Sequence, residues 1–168
     1  MSQSLPQVAH EHHARLLHHV DAIPAIADGL LASTSAEAHR SLAELGAFLT
    51  GTLVPHVDAA ERTIYPELER MFQNRHSMAP MRREHAELRR LVDEYGKVVE
   101  AAGSGPVTLA RSLAIRRVMF QLYALLKIHL AEEDAYLRII DRGVSADAGD
   151  LIAAAMEHPV AANRPVAG

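Results

Sequence analysis

The stretch at 122–140, LYALLKIHLAEEDAYLRII, constrains the fold more than any other part of the chain. At 3.6 residues per turn, Leu122, Leu125, Leu126, His129, Glu133, Tyr136, Leu137 and Ile140 share one face. That face is apolar except for His129 and Glu133, one turn apart, so both are expected to point into the core. A carboxylate buried without a partner costs several kcal/mol or gives up its charge. The simplest compensation for an imidazole and a carboxylate buried together is a metal ion.

The rest of the chain reads as helices built to match. The first is expected from about residue 5 to 32, with a stripe of His13, Leu16, Leu17, Val20, Ile23, Ala27, Leu30 and Leu31 and a kink at Pro24. Thr34 with Glu37 three residues on reads as a capping box for the second helix. That helix continues to about residue 72 through Leu42, Leu45, Leu49, Leu53, His56, Ile64 and Leu68. Unbroken, it would run roughly 60 Å, so Pro55 and Pro66 are expected to bend or break it. Pro80 opens a third helix that places His85, Leu88, Val92 and Tyr95 on one face. Gly103-Ser104-Gly105-Pro106 is a loop, and a fourth helix spans about 107–141, closed by Gly143. A short fifth helix is expected at about 146–157, before Pro159, and residues 159–168 as a flexible tail. No segment alternates as a strand does. The expectation is an all-α fold: an up-down-up-down antiparallel four-helix bundle with a short fifth C-terminal helix, one domain over residues 1–158.

Composition removes several classes of function. A formal charge of −4 and a pI near 6.2 leave no footprint for nucleic acid or an anionic membrane. No apolar run approaches the ~18 residues of a membrane span, and MSQSLPQVAHEHH is too polar for a secretory signal. The absence of Cys excludes disulfides, thiolate zinc sites and iron–sulfur clusters and fits a reducing, cytoplasmic setting. A monomer or weak homodimer is expected. The one compositional oddity is the eleven histidines.

Comparing the two halves of the chain explains part of that number. His13-Ala-Arg-Leu16 returns 72 residues later as His85-Ala-Glu-Leu88, His56 returns as His129 after 73, and Glu61 returns as Glu133 after 72. Each half is a helix with one inward His, then a helix with an inward His and an acid. Two such hairpins about a pseudo-twofold axis would converge four imidazoles and two carboxylates, a first shell for two metal ions. Carboxylate and imidazole without thiolate suit iron or manganese, with zinc also compatible. The repeat is imperfect at one point. His129 and Glu133 are four apart, whereas His56 and Glu61 are five apart and the residue four on is Ala60. A local π-bulge, or the bend at Pro55, would be needed to bring Glu61 round.

HVDAAERTIYPEL at 56–68 and HLAEEDAYL at 129–137, with the single His of EHHARL and REHAEL, resemble the bacterial HHE cation-binding type of the hemerythrin family. The resemblance covers roughly residues 8–141. It implies an up-down four-helix bundle with a non-haem centre of two iron ions, oxo- or hydroxo-bridged and spanned by carboxylates. Carried over by position, the metal ligands are His13, His56, Glu61, His85, His129 and Glu133. Oxygen-carrying hemerythrins have a five-residue His-to-acid step in their fourth helix, which keeps Glu61 viable. They also carry a second His one turn before the third-helix ligand, where this chain has Met81.

Each assignment has a plainer competitor. Any one of these His alone is more often a satisfied core histidine; only the set of six points to metal. His10, His12, His18, His19, His39, His76 and His158 read as solvated, although His10 or His12 replaces His13 if the register shifts. Glu11, Glu132 and Asp134 read as a solvated face. Tyr136 and Tyr65, each following an inward acid, read as core packing or as cofactor-binding residues that donate to, or ligate, the metals. HEHHA at 10–14 misses the zinc-protease pattern because residue 14 is Ala. Ferritin-like centres need Glu-x-x-His, the reverse of the order here. The function expected is binding or sensing of dioxygen, or of a related diatomic or peroxide. The alternatives are an enzyme acting on peroxide, nitric oxide or iron centres, and a helical bundle with a degenerate site, for which Ala60 speaks.

Overall fold

The computed structural model describes residues 5–143, and among these the chain is all-helical. Helix α1 spans Leu5–Gly29, α2 Ser35–Phe48, α3 Val54–Met71, α4 Ala79–Ala102 and α5 Leu109–Gly143. A π-helical turn, Leu49–Leu53, joins α2 to α3 without an intervening loop, so the five helices make four rods. The short C-terminal helix expected at 146–157 lies outside the described residues.

Local chemistry accounts for most boundaries. Thr34 and Glu37 close the capping box: the Glu37 amide donates to Thr34 Oγ1 (3.3 Å) and the Thr34 amide to Glu37 Oε2 (2.9 Å). The expected break near Pro55 is the π turn. Proline has no N–H, and its ring clashes with the carbonyl four residues back in a regular α-helix. The chain widens by one residue just before it, and Val54 N–H donates to Leu49 O, five residues back. Pro66 and Pro24 are carried inside α3 and α1. Gly103 at φ 66° ends α4 in a backbone conformation that L side chains rarely adopt.

Helix α5 packs along α1 and α4, α2 lies beside α1 and α4, and α3 lies against α4 and α5. The apolar faces meet in two clusters. The larger includes Leu16, Val20, Ile23, Leu42, Leu49, Leu53, Leu88, Ile115, Leu122, Leu126 and Leu130. The smaller holds Ala60, Ile64, Tyr65, Leu68, Met78, Met81 and Leu137. Among the described residues, His12, His13, His56, His85, Ser112, His129 and Glu133 are the buried polar or charged side chains. All but Ser112 gather between the two clusters.

Candidate metal centre

Four rods contribute one inward imidazole each: His13 from α1, His56 from α3, His85 from α4 and His129 from α5. Each stands where the apolar stripe of its helix would otherwise place a Leu, so packing of the stripes carries all four into the interior. Glu133, one turn after His129, is fully buried at their centre. Its Oε2 lies 3.0 Å from His56 Nε2, 3.2 Å from His13 Nε2 and 4.0 Å from His129 Nε2. His85 Nε2 sits 3.1 Å from His129 Nε2. The atoms form two triads, His13–His56–Glu133 and His85–His129–Glu133, which share the carboxylate.

The opposite edge of every ring is also engaged. His13 Nδ1 lies 2.6 Å from Asp134 Oδ1, His85 Nδ1 2.9 Å from Glu61 Oε1, and His129 Nδ1 2.9 Å from Glu84 Oε2. His56 Nδ1 lies 3.1 Å from Nε2 of His12. An acceptor behind Nδ1 is able to hold the ring's proton there once a cation takes Nε2, the arrangement found around metal-bound histidines. Imidazole nitrogens crowded against one another and a buried carboxylate are a poor packing solution by themselves. Nε2 of His13 makes no hydrogen bond despite its closeness to Glu133. Either triad therefore has a donor set that could hold a cation of nitrogen- and oxygen-seeking type.

Electrostatics in the metal-free protein follow from the same contacts. Burial alone would raise the Glu133 carboxyl, but His56, His13 and His129 hold it well below the usual carboxylate range. Burial opposes the charge on His13, yet Asp134 and Glu133 outweigh it and raise its pKa to about 9. Burial and His129 lower His85 to about 4, and burial, His56 and His13 lower His12 to about 3. The Tyr65 phenol, buried and next to Glu133, is pushed up and stays protonated. Its hydroxyl donates to Glu133 Oε1 (3.3 Å) and lies 2.9 Å from His85 Nε2.

The residues singled out from the sequence do not all meet. His13, His56, His85, His129 and Glu133 converge, and the Tyr65 hydroxyl joins them. Glu61 is in neither triad: it stands behind His85, its Oε1 also taking Arg89 Nη1 at 3.0 Å. Tyr136 packs edge-on to Phe72, away from the converging atoms. Two side chains read as solvated are not. His12 is buried and bonded to His56, and Asp134 is bonded to His13. Glu84 escaped the sequence reading altogether. A register signal was available, since the 73-residue step that relates His56 to His129 relates Ala60 to Glu133 and Glu61 to Asp134.

Residues 6–113 match the hemerythrin HHE cation-binding domain. The chain belongs to the hemerythrin HHE family. The match contains His13, His56, Glu61, His85, all of α1 but Leu5 and the whole of α2 to α4, while His129 and Glu133 lie beyond it and are placed by the repeat and by the geometry above. Neither the comparison with curated proteins nor that with solved structures returned a match. Among the described residues no helix is long and apolar enough to cross a membrane. As an HHE domain the chain is a metal-binding helical protein, and its His/Glu groups are able to hold the cations.

Proposed function

We propose that this hemerythrin-family protein holds two iron ions with His13, His56, His85, His129 and the shared Glu133, and binds dioxygen or a related diatomic or peroxide there. One observation carries the reading: four Nε2 atoms converge on one buried carboxylate while every Nδ1 is engaged from behind. When bound, iron supplies reversible one-electron chemistry and an affinity for small oxygen- and nitrogen-containing ligands. The chain's own contribution is enclosure and orientation. With His85, His129 and Glu133 at 0 % exposure, a ligand must be small enough to pass between packed side chains, which favours a diatomic over an organic substrate. Glu61, the sixth proposed ligand, acts in this reading on the far edge of His85. The Tyr65 hydroxyl occupies the side of the site where Ala60 offers no carboxylate.

The rods are read as an up-down-up-down bundle forming one domain, working in the cytoplasm as a monomer or weak homodimer. Metal analysis of protein loaded anaerobically with iron(II) tests the proposal, with two irons per chain expected and a visible charge-transfer band on admission of air. His129→Ala and Glu133→Ala are each expected to lose iron, and His39→Ala to keep it. Equal iron contents in all three would place the site elsewhere.

The buried phenol of Tyr65 favours one further reading, an enzyme that decomposes peroxide. Tyr65 holds a proton beside Glu133 and His85, where an oxygen leaving as the O–O bond breaks would take one up to depart as water. Tyr65→Phe is then expected to abolish oxygen evolution from peroxide while two irons remain bound. Oxygen evolution at the wild-type rate would remove Tyr65 from that role.

A further inference from the structure

The 72- and 73-residue repeat extends to the groups behind the imidazoles. His13 and His85 correspond, and so do their Nδ1 partners, Asp134 and Glu61. His56 and His129 also correspond, but what stands behind them differs in kind. Glu84 backs His129, and the residue 72 positions earlier, which backs His56, is His12. With a cation on Nε2 of His56, its Nδ1 would carry the proton and donate to Nε2 of His12, 3.1 Å away. His12 would thereby be fixed as an acceptor at Nε2, with its own proton on Nδ1 and no net charge. A carboxylate behind a ligating imidazole strengthens the hydrogen bond and raises the ring's basicity; a neutral ring does so less. Arg89 shares Oε1 of Glu61 and weakens that carboxylate's effect on His85. Among the described residues no Arg or Lys pairs with Glu84. Arg89 thus works against the position of His85 and His129, and the contrast of His12 with Glu84, a neutral ring against a carboxylate, is the larger difference and outweighs it.

Resting on the two-cation reading of the site, we propose that His12 is a positioning residue that makes the two cation positions unequal. The position of His85 and His129 fills first and more tightly; that of His13 and His56 fills second and more weakly.

The test uses the full chain stripped of metal and titrated with Co²⁺ alone, followed by visible absorption and by calorimetry. Two steps are expected, with dissociation constants separated by about tenfold or more, the size typical of outer-partner effects. His12→Glu should tighten the second step by about tenfold and leave the first in place. Glu84→His should weaken the first step until the two merge. His12→Gln, which keeps an oxygen acceptor for His56, should retain the two-step curve, whereas a role in packing alone would change melting temperature without changing the ratio of the steps. One inflection in the wild-type protein, or a ratio unmoved by both His12→Glu and Glu84→His, would overturn the assignment of His12. No Co²⁺ uptake at all would overturn the two-cation reading beneath it as well.

Discussion

His13 sets the proton balance of the centre. Asp134 and Glu133 raise its pKa to about 9, so in the metal-free protein at pH 7 the ring is charged. A cation at Nε2 requires that proton to leave. Loading with Zn²⁺ at pH 7 is therefore expected to release about one proton per chain from His13, read as a dependence of the calorimetric heat on the buffer's ionisation enthalpy. Identical heats in all buffers would mean a neutral His13. The same shifts shape stability without metal. A raised pKa contributes stability that is fully present below the unfolded value, about 6.5, and is lost as pH climbs toward 9. The depressed values of His85, about 4, and His12, about 3, act in the other direction. There the unfolded chain takes up protons first as pH falls below about 6.5, and the fold loses stability. The metal-free melting temperature is thus expected to peak near pH 6.5 and to fall on both sides, checked by thermal melts from pH 5 to 9. The converging histidines were legible because each interrupts an apolar stripe at helical spacing. Asp134, Glu84 and His12 were not, for a geometric reason. Each is next in sequence to an inward residue, about 100° round the helix, a boundary position that looks solvated until a neighbouring helix supplies a ring.

At the scale of the helix, the π turn at Leu49–Leu53 decides whether His56 faces the site. One extra residue in the turn rotates everything after it by about 100° relative to a regular helix. Pro55 explains why the widening falls there, and the exposed Gly51 lies at its middle. Inserting one alanine after Gly51 adds a residue beyond the one the π turn already absorbs, so α3 should advance by about 100° and turn His56 away from Glu133. The expected result is a chain that remains helical by circular dichroism but binds at least one cation fewer. Unchanged metal content would show that α3 is held in phase by its own packing. A π-bulge within the five-residue step from His56 to Glu61 would bring Glu61 inward. The turn is present, but it precedes His56 and leaves the spacing from His56 to Glu61 regular, so Glu61 faces His85 from outside. The capping box at Thr34 was readable because it depends on only four consecutive residues. The phase of α3 was not, because it depends on how a proline is absorbed. Thr34→Ala removes the cap and is expected to cost about 1 kcal/mol, roughly 2–4 °C in melting temperature for a chain of this size.

Across the whole molecule, the centre joins two cores of unequal size. The larger cluster draws on α1, α2, the π turn, Val57 at the start of α3, α4 and α5, and is able to stand on its apolar burial alone. The smaller, around Ile64, Tyr65, Leu68, Met78, Met81 and Leu137, has few members and abuts the buried imidazoles and Glu133. Without cations, Glu133 and the inward edges of four imidazoles must stay dry with only one another and the Tyr65 hydroxyl as partners, a costly arrangement. Local opening is expected where apolar contacts are fewest and buried polar groups most numerous. Removing metal by chelation should therefore speed amide hydrogen exchange in residues 60–71, 78–85 and 129–137, and leave 42–53 and 115–126 close to their protected rates. Restoring metal should reverse the change and raise the melting temperature, by the amount that binding to the folded state alone provides. Exchange that rose equally along all four rods would mean the large cluster also depends on the cations, so that folding and loading are one event. Exchange unchanged by chelation would mean the polar interior is satisfied by its own hydrogen bonds, and the case for resident cations would fail.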